Sequence, residues 1–430
     1  MSVYLDHAAS TPLRASARDA MIAALDATGN PSSVHRHGQA ARQIVEDARE
    51  VLAVSLGCDP IEVILTSGGT ESVNLAITGL FRSRREASIV ATAAGSEAGP
   101  HHIRNRIVLP EGEHHATLDT VLWLETHEGA ILDWIPLDSI GRVRLDLLAA
   151  ALADPRDIAL VTMMWANNEV GTIAPVTEAT QLAVDAGVPL HVDAIAAYGH
   201  EVIDFHGLRV ATGSEVAVKK SFDNEADAIS AAQRATSGLV ALSLSGHKIG
   251  AVSGVGAVVV SRTVSLSPLI HGGGQQRGLR SGTQDAPAAA SFAAAALESD
   301  RERESERARL TVLRDATMAR ILNVIPEASV QGDRFNRLDN NINITFPGCQ
   351  SDSLLYLLDE KGVSVSTGSA CQAGVTQASH VLLAMGNDVA TASSALRITL
   401  GHTTTSEDLD ALLAALPLAH ERAHAAGLTA

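Results

Sequence analysis

The sequence of 430 residues is poor in cysteine and in basic charge, and each shortage excludes a class of protein. Its three cysteines, Cys58, Cys349 and Cys371, are too few for a disulfide framework, and their spacing matches no zinc-ligand pattern. Lysine and arginine number 32 against 49 acidic residues, which gives a formal net charge of −17. A chain this acidic is a poor ligand for a phosphate backbone, so we expect no nucleic-acid partner.

Long apolar runs are also absent. No stretch approaches the length needed to cross a bilayer, and the first residues, MSVYLDHAASTPLR, contain neither the basic nor the apolar region of a secretory signal. Hydrophobic residues nevertheless make up 46% of the chain, which argues against intrinsic disorder and predicts a large core. We therefore expect a cytoplasmic enzyme of two or three domains without a membrane segment.

The middle of the chain does contain short apolar segments that each end in a polar cluster. The segment IEVILT (61–66) precedes Ser-Gly-Gly-Thr, IALVTMMW (158–165) precedes Ala-Asn-Asn-Glu, PLHV ends at Asp193, and GLVALSL (238–244) precedes Ser-Gly-His-Lys. Near-continuous apolar runs are typical of strands covered on both faces, as in a mainly parallel α/β sheet. Because ligands bind at the carboxyl ends of such strands, we expect the polar clusters to share one edge of the sheet.

The remaining segments differ in character. Residues 95–113 and 210–237 lack a core pattern, and we predict that both are surface insertions. Beyond Thr283 the sequence is helical, and its charged stretch DRERESERAR is typical of a solvated helix face. From Asn341 onwards short strands alternate with helices, which predicts a smaller α+β domain.

Two residues at predicted strand ends indicate chemistry. Lys248 follows an apolar strand, and a desolvated lysine has a lowered pKa and can form a Schiff base. Asp193 ends a buried strand and needs a cationic partner to stay ionised, which the protonated ring nitrogen of pyridoxal phosphate would supply. A surface lysine and a helix-capping aspartate are the alternative interpretations.

A phosphate would need backbone donors and hydroxyl groups. Gly69 and Thr70 lie between a predicted strand and a helix, where an anion is favoured. Ser245 and His247, beside Lys248, could complete a phosphate site. A tight strand-to-helix turn without a ligand would carry the same residue types. His114, in Glu-His-His-Ala, is a candidate to stack on a cofactor ring.

The C-terminal part offers a nucleophile and a cation. Cys371 is surrounded by small polar residues, which indicates an accessible loop where a thiolate can act as a nucleophile, whereas Cys58 and Cys349 are predicted to be structural. Arg397 interrupts an apolar strand and could bind a carboxylate in bidentate fashion. A salt bridge between domains is the alternative for this arginine.

In this combination the sequence resembles the cysteine desulfurases of the nitrogen-fixation and iron–sulfur-assembly type, which are class V, fold type I pyridoxal-phosphate enzymes. The matching stretches, in order, include YLDHAASTPLR, GNPSSVHRHGQAAR, ILTSGGTESVNLAI, EHHATLDT, NNEVGTIAPV, HVDA, LSGHKIG, HGGGQQRGLRSGT, VSTGSACQAG and SSALRITLG. The resemblance implies a large domain over residues 15–303 with a mainly parallel seven-stranded sheet. It also implies a small α+β domain, formed by residues 1–14 and 304–430, that carries the cysteine loop.

The resemblance also implies the roles of individual residues. The implied cofactor-binding residues are Gly69, Thr70, His114, Asn168, Asp193, Ser245, His247, Lys248 and Thr283. Thr283 would reach the phosphate of the other subunit, which implies a homodimer. Asn30, Asn168 and Arg397 would bind the substrate, and Lys248, His114 and Cys371 would be catalytic. The implied reaction converts L-cysteine to L-alanine and leaves the sulfur on Cys371 as a persulfide, for delivery to a scaffold or carrier protein.

One departure from the family pattern lies at the implied site. Ala196 stands where the family has a glutamine that hydrogen-bonds the ring hydroxyl of the cofactor, and Ala-Val-Ser at 251–253 replaces a proline-lysine turn. Three alternatives therefore stay open. They are a selenocysteine lyase, another class V lyase or aminotransferase, and a non-catalytic paralogue that acts as a binding protein.

Overall fold

The computed structural model describes residues 2–93, 102–214, 233–367 and 377–427, and Cys371 lies outside them. The helices are α1 (Ala15–Leu25), α2 (Arg36–Leu56), α3 (Gly69–Ala93), α4 (His115–Glu128), α5 (Leu145–Ala151), α6 (Val176–Asp185), α7 (Phe205–Ala211), α8 (Ala286–Val324), α9 (Ser351–Glu360), α10 (His380–Ala384), α11 (Val389–Ala392) and α12 (Ser406–Gly427). The strands are β1 (Val3–Tyr4), β2 (Val63–Thr66), β3 (Arg106–Pro110), β4 (Ile131–Ile135), β5 (Ile158–Met164), β6 (Pro189–Asp193), β7 (Gly238–Ser245), β8 (Gly256–Val260), β9 (Ser329–Val330), β10 (Asn341–Thr345), β11 (Val363–Ser364) and β12 (Ala395–Thr399).

The largest sheet has seven strands in the order β2-β8-β7-β6-β5-β3-β4. Its strands are parallel except β8, which runs antiparallel to both of its neighbours. Every residue of β5, β6 and β7 is buried, as the near-continuous apolar runs predict for strands covered on both faces. The predicted mainly parallel seven-stranded sheet is therefore confirmed.

A second core lies in the C-terminal part. Strands β12, β10 and β9 form an antiparallel sheet, and β1 from the N-terminus pairs in parallel with β11. The long helix α8 connects the two cores, because its Phe292 packs in the core of the large sheet and its Ile321 packs in the core of the small one. The α+β character predicted after Asn341 is confirmed.

The prediction that residues 95–113 form a surface insertion is wrong for part of that segment. Strand β3 lies inside the large sheet between β5 and β4, and Ile107, Val108 and Leu109 are fully inaccessible to solvent. Only these three apolar residues separate Arg106 from Pro110, so the run is too short to show a strand pattern. Arg106 is stabilised by ion pairs with Asp133 and Asp157 at the end of the strand.

The second predicted insertion, 210–237, is described only at its two ends. Helix α7 continues to Ala211, and Ser214 and Ser237 are fully buried. Residues 215–232 lie outside the described residues, so a surface location stays a prediction for them. In the described ranges, no helix combines the length and the apolar character that crossing a membrane requires.

Candidate active site

A cavity of about 620 Å³ lies at the carboxyl ends of the large-sheet strands, where the small domain meets the sheet. All predicted cofactor-binding residues except Thr283 line it, namely Gly69, Thr70, His114, Asn168, Asp193, Ser245, His247 and Lys248. Parallel pairing aligns the ends of β5, β6 and β7, since Asp193 is opposite Met164 on one side and Ser243 on the other. The expectation that the polar clusters share one edge of the sheet is confirmed.

Lys248 lies in the turn of 3₁₀ helix Gly246–Lys248 that follows β7. Its Nζ donates hydrogen bonds to the carbonyl oxygens of Ala8 and Ala9 in the N-terminal segment. Burial, with a smaller contribution from the positive charge of Arg397, lowers the pKa of Lys248 to about 8. An amine with this pKa is partly neutral near pH 8, as a lysine that attacks a carbonyl must be.

Asp193 ends β6 and is almost completely buried. Its Oδ1 accepts a hydrogen bond from the N–H of Ile195 at 2.9 Å, so the turn-capping contact of the alternative interpretation is also present. Burial raises the pKa of Asp193 to about 6, although the Ile195 N–H and the charge of Lys248 oppose this shift. Within the described ranges no basic side chain forms an ion pair with Asp193, so a cationic ring nitrogen would supply the missing partner.

Another part of the cavity wall is suited to an anion. Helix α3 begins at Gly69, and a Cβ atom there would lie only 2.4 Å from Cδ1 of Ile195, so a larger residue would require the Ile195 side chain to move. The Oγ of Ser245 is buried and has no hydrogen-bond partner among the described residues. Because an unpaired buried hydroxyl is costly, an accepting phosphate oxygen at the helix N-terminus would stabilise this arrangement. The residues present therefore fit pyridoxal phosphate.

His114 precedes α4 and caps it, because its Nδ1 accepts a hydrogen bond from the N–H of Ala116 at 3.0 Å. Burial, followed by the charge of Lys248, lowers the pKa of His114 to about 4. The imidazole is thus neutral at pH 7, and the accepting role of Nδ1 assigns its proton to Nε2. Its position in the cavity wall agrees with ring stacking, which stays a prediction.

Arg397 enters the cavity from β12 in the small domain. Its Nη2 lies 3.0 Å from Oδ1 of Asp6, and its Nη1 donates to the carbonyl oxygen of Asn168 at 3.2 Å. Its Nε is buried without a hydrogen-bond partner in the part of the chain that is described. The ion pair with Asp6 lies within residues 1–14 and 304–430, so it is not the salt bridge between domains of the alternative interpretation. Arg397 also has N–H donors beyond the two that these contacts use.

Asn30 and Thr283 do not line this cavity. Asn30 is exposed, and its Oδ1 accepts a hydrogen bond from the N–H of Ser32 at 2.9 Å. Its predicted contact with the substrate therefore has no support within one chain. The role of Thr283 in a partner subunit stays a prediction.

The sequence interpretation missed the buried Glu169, although it directly follows the predicted Asn168. Its carboxylate accepts a hydrogen bond from Oγ of Ser379 at 2.6 Å, and burial raises the pKa of Glu169 to about 7. Ser379 and the cavity-lining His380 follow the segment that contains Cys371, and Thr367, which precedes it, also lines the cavity. The position of Glu169 in the turn after β5, beside Asn168, was the only signal for it in the sequence.

His200 is a second residue that the sequence interpretation missed. It lines the cavity, and its Nδ1 lies 2.6 Å from Oδ1 of Asp339. Burial opposes protonation of His200, but the neighbouring Asp339 raises its pKa. Ala196 lines the same cavity, so its small side chain leaves space where the family glutamine would project.

Comparisons with known proteins agree with this fold. The sequence profile of the Aminotransferase class-V family matches residues 3–214 and 227–412, and the chain belongs to this family. The resemblance to the cysteine desulfurases of the nitrogen-fixation and iron–sulfur-assembly type is confirmed by its relatives.

An IscS-like cysteine desulfurase from Mycobacterium tuberculosis is 45% identical over 99% of this chain and 98% of its own length. The cysteine desulfurase NifS from Azotobacter vinelandii is 34% identical over 96% of this chain and 92% of its own length. Among solved structures, a NifS-like protein superposes with a TM-score of 0.79 at 30% identity, covering 98% of this chain and 99% of that one. The predicted class V, fold type I architecture is confirmed.

Proposed function

We propose that this chain is a pyridoxal-phosphate-dependent cysteine desulfurase that converts L-cysteine to L-alanine and transfers the sulfur to Cys371. The observation that carries the proposal is the meeting of Lys248, Asp193 and Arg397, from distant parts of the chain, in one cavity. The near full-length relatives that are named cysteine desulfurases support it.

Different cavity residues would hold different parts of the cofactor. Gly69, Thr70, Ser245 and His247 would hold the phosphate, and Asp193 would hold the ring nitrogen in its protonated form. When bound, pyridoxal phosphate supplies an electron sink for a carbanion next to the amino group of the substrate.

The substrate residues act from the opposite side. Arg397, which lines the cavity, would bind the carboxylate of L-cysteine, and the carbonyl oxygen of Asn168 accepts a hydrogen bond from its Nη1. Lys248, whose pKa of about 8 is close to the working pH, would take up the α-proton of the substrate. The neutral His114 holds a proton at Nε2 that it can donate.

The sulfur step uses Cys371, which follows the cavity-lining Thr367 by four residues. Four residues span at most roughly 14 Å, so the distance along the chain allows the thiol to reach the cavity. Its thiolate attacks the substrate sulfur, an S–S bond forms, and the Cβ–S bond breaks with its electron pair left on the organic fragment. Protonation of that fragment yields alanine, and the persulfide sulfur then passes to an acceptor protein.

The proposal includes a homodimer in the cytoplasm. A homodimer would bring Thr283 to the cofactor of the partner subunit. The large domain would comprise residues 15–303, and the small domain residues 1–14 and 304–430. The strongly acidic chain favours a sulfur acceptor with a basic surface. The described cysteines Cys58 and Cys349 are free thiols, as expected in the cytoplasm.

The test measures sulfide and alanine produced from L-cysteine by the wild type, Cys371→Ser and the control Cys58→Ser, in the presence of a thiol reductant that releases the persulfide sulfur as sulfide. The wild type and the control should release both products in equal amounts. Cys371→Ser should bind the cofactor with an unchanged absorption spectrum yet release no sulfide. Full sulfide release by Cys371→Ser would remove this residue from the reaction.

A protein that stays colourless after pyridoxal phosphate is added would instead indicate the non-catalytic paralogue. Turnover of selenocysteine without turnover of cysteine would indicate a selenocysteine lyase. Amino transfer that depends on a keto acid would indicate an aminotransferase.

A further inference from the structure

Two histidines and a cysteine come together in the small domain, away from the cavity described above. His420 and His424 lie four residues apart on α12, so both project from the same face of the helix. Cys349 is buried in the loop between β10 and α9. One potential ligand atom from each of the three residues lies within 4.8 Å of the other two.

The polar atoms of this cluster are poorly satisfied. Nε2 of His420 and Nδ1 of His424 are both buried and have no hydrogen-bond partner among the residues that the structure describes. The Sγ of Cys349 makes only a long contact, 3.8 Å, with the carbonyl oxygen of His420. A buried imidazole nitrogen without a partner costs free energy, so two in one cluster require an explanation.

The surroundings favour a cation. The Oε1 of Glu327 lies 3.6 Å from Nε2 of His420, and the Glu327 side chain is half exposed. Gly348 allows the close approach of the loop, because a Cβ atom there would lie 2.5 Å from Nδ1 of His424.

A second cluster of possible ligands, Asp59, Glu62 and His206, does not share this feature. There the Glu62 carboxylate accepts hydrogen bonds from the backbone N–H groups of Asp59 and Arg262 and lies 2.7 Å from Nε2 of His206. Because these contacts already satisfy the carboxylate, that cluster needs no ion. The cluster of Cys349, His420 and His424 therefore differs from this one in having two buried nitrogen atoms without a hydrogen-bond partner among the described residues.

We propose that Cys349, His420 and His424 bind a zinc ion, with Glu327 or a water molecule as the fourth ligand. One thiolate and two imidazoles form a donor set that Zn²⁺ prefers, with bonds of about 2.0–2.3 Å. Donors in such a tetrahedron are roughly 3.5 Å apart, so the cluster closes with side-chain movements of about 1 Å. Binding displaces the thiol proton to solvent and ties α12 to the small sheet.

The test uses the full-length holoprotein carrying Cys371→Ser, which removes the thiol at the active site as an alternative ligand. After treatment with a chelator, the protein is dialysed against Zn²⁺ or Co²⁺, and bound metal is counted per chain. Cobalt is also followed by its ligand-field bands, at wavelengths beyond the absorption of pyridoxal phosphate. We expect one ion per chain and the band intensity of a tetrahedral site.

Cys349→Ser and His424→Gln, each added to this protein, should weaken binding of both metals by at least about tenfold, while the matched control Cys58→Ser should not. Circular dichroism verifies that each variant is folded, and His424→Gln, near the end of α12, carries the test if Cys349→Ser is unstable. No metal uptake by the reference protein would overturn the proposal. Unchanged affinity in the folded variants would overturn it as well, since the ion would then lie elsewhere.

Discussion

The two walls of the active-site cavity are built in different ways. On the sheet side, Asp193 and Lys248 lie at or directly after the ends of adjacent parallel strands, and the ladder of backbone hydrogen bonds fixes their relative position. On the small-domain side, Arg397 is held by Asp6 from the N-terminal segment and by the carbonyl oxygen of Asn168 from the large domain. The wall on the sheet side, which would hold the cofactor, is thus formed by strands of one sheet. The wall on the small-domain side, which would hold the substrate, is assembled from contacts between the small and the large domain.

This difference predicts which substitutions lower the reaction rate and which raise the KM for L-cysteine. Residues of the sheet wall should determine cofactor attachment and rate, because strand pairing within one sheet positions their backbone. Residues of the assembled wall should determine the KM for L-cysteine, because their geometry depends on several weak contacts.

The largest effect is expected for Lys248→Ala on the sheet wall. Loss of the amine removes both the covalent attachment of pyridoxal phosphate and the base, and general-base catalysis alone contributes about 10²- to 10⁴-fold. We expect kcat to fall by at least this factor and the protein-bound absorption band to change, as measured by sulfide assay and visible spectroscopy. Lys361→Ala, at an exposed lysine, is the control. An unchanged spectrum in Lys248→Ala would show that another lysine attaches the cofactor.

A smaller effect, on KM, is expected for Arg397→Lys on the assembled wall. Lysine keeps the charge but cannot contact Asp6, Asn168 and a carboxylate at once, and a hydrogen bond to a charged group contributes about 1.5–3 kcal/mol. We expect the KM for L-cysteine to rise by about 10- to 100-fold, with a lesser change in kcat. Equal losses in kcat and kcat/KM would contradict the division between the two walls.

The pH dependence of cofactor attachment should report on the protonation of Lys248 in the sheet wall. Lys248, with a pKa of about 8, loses its proton as the pH rises, while Asp193, with a pKa of about 6, is already ionised above pH 7. The rate at which apoprotein gains the visible band should therefore increase by about tenfold between pH 7 and 9, because the fraction of neutral amine increases by that factor. Arg397→Lys should shift this profile only slightly, and a flat profile would contradict the lowered pKa of Lys248.

The smallest effect is expected for Ala196→Gln, which restores the amide of the family pattern to the sheet wall. One neutral hydrogen bond is worth about 1 kcal/mol, so the dissociation constant of pyridoxal phosphate should fall by about fivefold. Fluorescence titration of apoprotein measures it. Ala196→Leu, which adds similar bulk without a donor, is the control, and equal tightening by leucine would assign the effect to packing.

The chemistry of the sheet wall could be predicted from the sequence because it is encoded locally. Each of these apolar runs forms a strand of the large sheet. The polar residues that follow it, such as Asp193 or Lys248, therefore lie at the edge formed by the carboxyl ends of the strands. Strand β3 was missed because its three apolar residues lie next to an arginine, and only the ion pairs of Arg106 with other segments stabilise its charged end. Glu169 was missed because its partner Ser379 is 210 residues away.

The sequence by itself determined the family, the main sheet and the residues that follow its strands, since hydrophobic periodicity and turn chemistry depend on neighbours in the chain. Only the tertiary structure decided which distant groups meet. Arg397 reaches Asp6 across 391 positions. Cys349, whose spacing to other cysteines excluded a zinc pattern, packs against two histidines that are 71 and 75 residues further along. Such contacts arise from the packing of helices on sheets, which no local pattern specifies.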